Sequence, residues 1–198
     1  MKKAIFILAL FFGFTQFSNA KRIKGYYILK SNDTVKVTFN IPIKLITREP
    51  NFRRLQLKIN YYTGFGKNKE ALNPSEISEV GFYYDGQNFK VQPCRNNHKL
   101  AKSSLEWIFL QLDREGKLKL LIYIHSFWHW GGVLNTSDTY ILQKGDGDLF
   151  MPRLVFFRKG MVEYLSDCPE IAKRIDERVY DAGDIQKIVY AYNKSTCK

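Results

Sequence analysis

Apolar and polar residues alternate along much of the first 150 positions, and a period of two predicts β-strands. In residues 34–40 (TVKVTFN) every second side chain is apolar, so one side of this segment is predicted to be buried and the other wet. Residues 25–30 (GYYILK) are also rich in strand-forming side chains, and the Ser-Asn-Asp at 31–33 favours a turn. The chain is therefore predicted to begin its fold with a β-hairpin.

A second hairpin is predicted over residues 79–92, where EVGFYY and QNFKVQ flank Asp85-Gly86, a dipeptide that favours a type I′ turn. Residues 118–124 (LKLLIYI) and 139–143 (TYILQ) predict two further strands, and the Gly-Asp-Gly-Asp at 145–148 predicts a turn. Residues 104–112 fit a strand or a short helix, because a compact apolar run does not decide the period.

Two further segments give weaker patterns. Residues 43–47 (IKLIT), between two prolines, predict a short extended segment. Leu55, Leu57 and Ile59 alternate with polar residues, which predicts another half-buried strand.

After residue 156 the apolar spacing changes to that of helices. Asp167 is predicted to cap the second of these helices, with Pro169 in its first turn and Glu170 as the capping-box partner. The apolar stripes are Phe157, Met161, Val162 and Leu165; then Ile171, Ala172 and Ile175; then Ile185, Ile188, Val189 and Tyr192. Such short helices need a surface to dock on, because they are marginal in water alone.

These elements predict an α+β fold. An antiparallel β-sheet, either open or curled toward a barrel, carries two or three short C-terminal helices packed on it. Residues 21–198 are expected to form a single domain, with a β-rich region over 21–152 and a helical region over 153–198.

The first twenty residues have the pattern of a secretory signal peptide. Two lysines precede an uncharged apolar run over residues 4–14, and small residues at 18 and 20 favour cleavage after Ala20. The run is too short for a membrane anchor, which needs roughly 20 residues, and no second apolar run of spanning length follows. The mature chain is therefore expected in the periplasm, at the cell surface or outside the cell.

The chain is strongly basic, with a formal net charge of +12. Residues 1–20 contain two lysines and no acid, so cleavage there leaves +10. This charge either serves solubility or attracts an anionic partner such as lipopolysaccharide, nucleic acid or an acidic glycan. The sequence contains no recognisable nucleic-acid-binding motif, and the partner is otherwise open: an anionic envelope component or another protein.

The three cysteines are Cys94, Cys168 and Cys197. Cys168 begins one predicted helix and Cys197 follows the end of the next. If those two helices are antiparallel and of similar length, their outer ends lie close together. The sequence therefore predicts a Cys168–Cys197 disulfide, which export permits, and a free, buried Cys94.

Residues 125–134 (HSFWHWGGVL) hold the most conspicuous side chains. Trp128, His129 and Trp130 could form an aromatic ligand platform, or, with Gly131-Gly132 as the turn, they could close a hairpin and pack on the core. His125 and His129 are four residues apart and could bind a metal together with a third ligand, either His98 or a carboxylate. The metalloprotease pattern HExxH is absent, since Ser126 occupies the position of its glutamate.

Other chemistry is weakly indicated. Gly64-x-Gly66-Lys67 lacks the third glycine and the following helix of a phosphate-binding loop, so a surface loop is predicted. Cys94 and His98 are the only local pair that could form a cysteine nucleophile with its base. No nucleophile elbow is present, no catalytic residues are assigned and no cofactor is implied.

Four segments together resemble a known group. They are KGYYILKSNDTVKVTF, SEVGFYYDGQNFKV, YLSDCPEIAKRI and DIQKIVYAYN. In their order the chain resembles a broad group of small exported proteins of unknown function from Gram-negative bacteria. The resemblance implies export, a β-rich region and C-terminal helices, and it brings no catalytic residues.

The sequence favours a non-enzymatic exported protein that binds a ligand or belongs to the envelope. One alternative is a metal-assisted hydrolase using His98, His125 and His129. Another is an assembly partner whose exposed aromatic residues join a second subunit.

Overall fold

The computed structural model describes residues 20–63, 66, 68–98, 100, 104–128 and 134–197. Most of the predicted signal peptide lies outside these residues, and Ala20, the predicted last residue before cleavage, is the first residue of the first strand.

The described residues contain ten strands, and every pair of neighbouring strands is antiparallel. The strands are β1 (Ala20–Leu29), β2 (Thr34–Pro42), β3 (Asn60–Thr63), β4 (Asn68–Ala71), β5 (Ile77–Tyr84), β6 (Gln87–Arg95), β7 (Trp107–Arg114), β8 (Leu118–Trp128), β9 (Leu134–Lys144) and β10 (Leu149–Phe150). They form one sheet in the order β10-β9-β8-β7-β6-β5-β1-β2-β3-β4. The sheet is open, with β10 and β4 at its edges, so of the two predicted forms the barrel is not the one adopted.

Within the described residues, four α-helices accompany the sheet. They are α1 (Phe52–Leu55), α2 (Phe157–Tyr164), α3 (Pro169–Asp176) and α4 (Ile185–Lys194), with 3₁₀ turns at Leu154–Phe156 and Ala182–Asp184. The fold is therefore α+β, as predicted, with three of the four α-helices at the C-terminus. None of the helices in the described part of the chain is long and apolar enough to cross a membrane.

The helices α2, α3 and α4 pack on one face of the sheet. Leu118, Leu120 and Leu142 on that face are fully buried against Met161 and Ile188 from the helices. Farther across the sheet, the short helix α1 covers a second cluster that includes the stacked rings of Phe52, Phe82 and Phe89. Burying each large apolar side chain contributes roughly 1.5–3 kcal/mol, so these clusters hold the helices to the sheet.

The predicted hairpins are present. β1 pairs with β2 across the turn at 30–33, and β5 pairs with β6 across Asp85-Gly86. Asp85 and Gly86 both have positive φ, at 50° and 78°, which is the conformation that a type I′ turn requires. The turn at 145–148 likewise joins β9 to β10. Residues 104–112, which the sequence left undecided, contribute most of β7.

Two strand predictions were wrong. Residues 45–47 form a turn, closed by the pairing of Ile43 with Pro50. Leu55 ends α1, and residues 56–59 lie outside any strand. Leu55 and Ile59 are buried whereas Leu57 is 41% exposed, so the apolar spacing that buries side chains here is four rather than two.

The predicted cap of α3 was also wrong. Cys168 is the N-cap residue of α3 and makes no side-chain capping bond, although Pro169 does occupy the first turn. The carboxylate of Asp167 instead accepts hydrogen bonds from Lys144 Nζ and Tyr192 OH, both at 2.5 Å. Asp167 therefore links α4 to the end of β9. The sequence does not reveal this role, because both partners are distant from Asp167 along the chain.

The disulfide prediction is confirmed. Cys168 and Cys197 are bonded with their Cα atoms 5.1 Å apart, and Cys94 is free and buried. Lys117 Nζ donates to the carbonyl of Cys197 at 2.9 Å, which further fixes the C-terminal residues to the start of β8.

Candidate functional site

A basic groove lies on the face of the sheet opposite the helices, over β1, β2 and β3. Along β1 the side chains of Arg22 and Lys24 are exposed, and Ile23 between them is buried, as alternation along a strand requires. Lys24 lies opposite Thr38 on β2, and Lys36 is two residues from Thr38 on the same side. The register of this hairpin therefore gathers three cationic side chains on one surface.

The groove has a volume of about 650 Å³. Its lining consists of cationic, hydroxyl-bearing, aromatic and backbone groups: Arg22, Lys24, Gly25, Lys36, Val37, Thr38, Tyr62, Thr63 and Gly66. Among these described lining residues there is no Asp or Glu. The groove thus presents three cationic side chains, and at one end the carboxylate of Glu70 contacts its lining by accepting from Thr63 Oγ1 at 3.0 Å.

Arg22 is held in place by its neighbours. Its guanidinium carbon lies 4.3 Å from the centre of the Tyr62 ring, and Nη2 donates to the carbonyl of Gly66 at 3.4 Å. Tyr62 is itself fixed, because its hydroxyl donates to Asn40 Oδ1 at 2.9 Å. A stacked arginine keeps its charge and leaves other N–H groups free to bind an anion.

The side chains of Lys24 and Lys36 are exposed, and neither side chain makes a hydrogen bond or an ion pair with another residue that the structure describes. They differ in this from Lys90, which bonds two carboxylates. An ordered groove with two unpaired ammonium groups is suited to bind a negatively charged ligand.

Tyr26 bounds the groove on the side of β5. Its ring lies directly over Gly81, where a Cβ atom would come within 2.3 Å of the ring, so a larger residue at 81 would displace the Tyr26 ring. The hydroxyl of Tyr26 donates to Glu79 at 2.8 Å, and burial followed by this hydrogen bond raises the pKa of Tyr26. Tyr26 is therefore neutral at physiological pH and forms an uncharged side of the groove.

The acids nearest this side of the groove are already paired. Lys90 Nζ lies 3.1 Å from Glu79 and 3.0 Å from Glu115. Burial lowers the pKa of Lys90, but the two carboxylates outweigh it and hold that pKa above its usual value. Glu79 and Glu115 share the single charge of Lys90, and none of these three residues lines the groove.

A second groove of about 780 Å³ lies on the same face, across β5 to β9. Its charges are largely satisfied within the protein: Lys119 pairs with Asp146 at 3.1 Å, and Lys30 lies over the ring of Trp107. Cys94 lies in its wall, and burial raises the pKa of this thiol to about 12. A thiol with that pKa is protonated at neutral pH and is a poor nucleophile.

His98, the candidate base for Cys94, is engaged elsewhere. Its Nε2 lies 2.6 Å from the carbonyl oxygen of Leu149. The cysteine–histidine pair considered from sequence therefore lacks a reactive thiol, and among the described hydrogen bonds Cys94 Sγ donates to the carbonyl of Gln92 and not to His98.

The predicted metal ligands are only partly within the described residues. His125 stacks on Tyr123 and lies with Nδ1 3.3 Å from Thr139 Oγ1. His98 contacts Leu149, which pairs with Gln143 on β9. His125 pairs with Ser137, which lies six residues from Gln143 on the same strand. His98 and His125 are thus roughly 20 Å apart along the strands, at about 3.3 Å per residue.

His129 lies outside the described residues, so the trio cannot be placed as a whole. Within the residues that are described, no three His, Cys, Asp or Glu side chains gather to hold a metal. The aromatic platform is in the same position: His129 and Trp130 lie outside the described residues, and only the backbone of Trp128, at the end of β8, is described.

The sequence contained signals for the basic groove that its analysis did not use. Alternation placed Lys36 and Thr38 on the wet face of β2, and the Gly-x-Gly-Lys fragment supplies Gly66 to the groove. Neither signal identifies a site alone, because the groove depends on the register that brings β1, β2 and β3 together.

No protein-family model matches the chain, and no curated protein and no solved structure is significantly similar to it.

Proposed function

We propose that this protein is an exported, non-enzymatic binding module that takes an acidic glycan of the cell envelope in the groove over β1, β2 and β3. The observation that supports it most strongly is the set of three cationic side chains, Arg22, Lys24 and Lys36, in a groove whose described lining holds no acid.

The spacing of the cations favours a ligand with several negative groups. Arg22 and Lys24 are two residues apart on one strand, hence roughly 7 Å apart. Lys24 and Lys36 are diagonal neighbours across the β1–β2 ladder, at roughly 7–8 Å. A single small anion can contact one or two of these cationic side chains, whereas a polymer with repeated negative charges can contact all three.

One of the remaining lining groups suits a carbohydrate. Thr38 supplies a hydroxyl that can donate and accept hydrogen bonds, whereas Thr63 Oγ1 already donates to Glu70 Oε1 at 3.0 Å. The groove is an open surface rather than a closed cavity, which suits an extended chain that continues beyond the site.

The cellular location is part of the same proposal. The sequence pattern of residues 1–20 supports export, and the Cys168–Cys197 disulfide is of a kind that persists in oxidising compartments. Envelope polysaccharides are anionic ligands that an exported protein meets.

Binding to a sulfated glycan column tests the proposal. The purified protein should be retained on immobilised heparin, used as a model acidic glycan, and elute as salt rises, but it should pass through uncharged dextran. Lys24→Ala/Lys36→Ala should elute at clearly lower salt. The matched variant Lys58→Ala/Lys173→Ala removes two exposed lysines outside the groove and should elute near the wild type.

Two results would count against the proposal. Equal elution of the two double variants would show that net charge, and not the groove, causes retention. Competition by millimolar inorganic phosphate as effective as that by a heparin oligosaccharide would indicate a compact phosphate ligand in place of a glycan.

A further inference from the structure

The 3₁₀ turn Leu154–Phe156 is the most exposed apolar segment of the described chain. Leu154, Val155 and Phe156 are 82%, 85% and 63% exposed. A 3₁₀ helix has three residues per turn, so these side chains point in three directions about 120° apart. All three reach solvent, which means that the turn projects from the surface as a knob and does not present a flat face.

The knob is firmly mounted. Phe157, the next residue, begins α2 and is buried, and Met161 one turn later is fully buried against the sheet. The backbone N–H of Phe156 donates to the carbonyl of Arg153 at 3.1 Å, which closes the turn. The exposed side chains are therefore carried by a structured element.

Cationic residues flank the knob along the chain. Arg153, Arg158 and Lys159 are exposed, and none of the three forms an ion pair or a side-chain hydrogen bond with a residue in the described ranges. Residues 149–162 contain no Asp or Glu. Exposed apolar side chains with cations on either side in the chain match the chemistry of an anionic lipid surface, where acyl chains lie beneath negatively charged headgroups.

We infer that residues 153–159 form a membrane-docking surface that inserts Leu154, Val155 and Phe156 into the interface of a bilayer containing anionic lipid. A fluid lipid interface accepts side chains that point in three directions, whereas a protein partner needs a pocket shaped around each of them. Self-association about a two-fold axis would place the three cations against their own copies, which is unfavourable.

This inference does not depend on the groove over β1, β2 and β3. The groove lies toward the β4 edge of the strand order, and α2 follows β10 at the opposite edge. The two surfaces can therefore be tested separately in one protein.

Co-sedimentation with vesicles is the test. The protein should sediment with vesicles of phosphatidylcholine and phosphatidylglycerol, and its partition coefficient should be at least tenfold lower on vesicles of phosphatidylcholine alone. Leu154→Ser/Val155→Ser/Phe156→Ser should reduce partitioning to the anionic vesicles at least tenfold, and Arg158→Ala/Lys159→Ala should reduce it several-fold. Because the substituted side chains are exposed, thermal unfolding of both variants should resemble that of the wild type.

Lys24→Ala/Lys36→Ala is the control and should keep its vesicle binding while losing heparin affinity. The inference is overturned if the wild type binds no vesicles, or if the triple serine variant partitions like the wild type. It is also overturned if the wild type is a dimer that the serine substitutions convert to a monomer, since the knob would then be an interface between copies.

Discussion

Two side-chain amides complete the hydrogen bonding of β8 at positions that β7 does not reach. The ladder between β7 and β8 spans residues 120–122 of β8. Just beyond it on one side, Gln56 accepts from the N–H of Ile124 at 2.6 Å and donates to its carbonyl at 3.0 Å. Just beyond it on the other side, Asn193 does the same with Leu118, at 2.8 and 2.9 Å.

Gln56 is expected to be important for stability, because it is only 3% exposed and satisfies two backbone groups at once. Gln56→Leu should lower the free energy of unfolding by about 2–3 kcal/mol, since unsatisfied buried polar groups cost roughly 1–3 kcal/mol each. Urea denaturation measures this, with exposed Gln87→Leu as the matched control. A loss below about 0.5 kcal/mol would show that water replaces the amide.

Asp167 should make stability depend on pH in the acidic range. Burial raises its pKa, but hydrogen bonds from Lys144 and Tyr192 outweigh burial, so the pKa lies below the ordinary Asp value. A depressed folded pKa gives stabilisation that is fully present above the unfolded pKa near ~4 and is lost as the pH falls through the folded pKa.

At pH 7, Asp167→Asn should therefore be less stable than the wild type by about 1–2 kcal/mol, allowing for partial exposure. The difference should shrink below about pH 4. Denaturation at pH 7, 5 and 3.5 measures it, with the exposed Asp176→Asn as control. A difference that stays constant over this range would mean that the carboxylate charge is not involved.

At the scale of elements, the sequence predicts the strands and helices whose apolar spacing fits only one period. The hairpin at Asp85-Gly86 follows from alternation and a turn dipeptide, and the stripes of the three C-terminal helices follow from a 3.6-residue period. Leu55, Leu57 and Ile59 alternate as in a strand, but Leu55 and Ile59 are also four residues apart, as on one side of a helical turn. A segment this short does not decide between the two periods. Burial of Leu55 and Ile59 beneath the sheet decides between them, and that is a tertiary effect.

The Cys168–Cys197 disulfide is expected to stabilise the C-terminal helices. Cys168→Ala/Cys197→Ala should lower stability by about 3 kcal/mol, as the loss of chain-entropy restraint over a separation of 29 residues suggests. A melting temperature lower by roughly 6–12 °C follows for a chain of this size. Reducing agent should give a similar shift in the wild type and in Cys94→Ala, but none in the double variant. Equal melting of oxidised and reduced protein would contradict this account.

At the scale of the whole molecule, the helices cover one face of the sheet, and the groove that we propose as a binding site lies on the other. The sequence alone could not locate the basic groove, because Arg22, Lys36 and Gly66 come from separate segments. They meet only through the register of β1 with β2 and the return of the chain after β3. The His and Trp residues at 125–130 are candidates on the basis of residue type, which the sequence shows. The groove consists of common residue types, and only their arrangement in the folded chain identifies it.

The most direct test of the central claim is the salt dependence of binding to a defined heparin hexasaccharide, measured by calorimetry. The wild type should bind more weakly as salt rises, and Lys24→Ala/Lys36→Ala should bind more weakly still. The slope of log Kd against log salt should fall by about 2 in that variant, since each cation–anion contact contributes about one. Lys58→Ala/Lys173→Ala should keep the wild-type slope. An unchanged slope in the groove variant would show that the groove over β1, β2 and β3 is not where an anionic ligand binds.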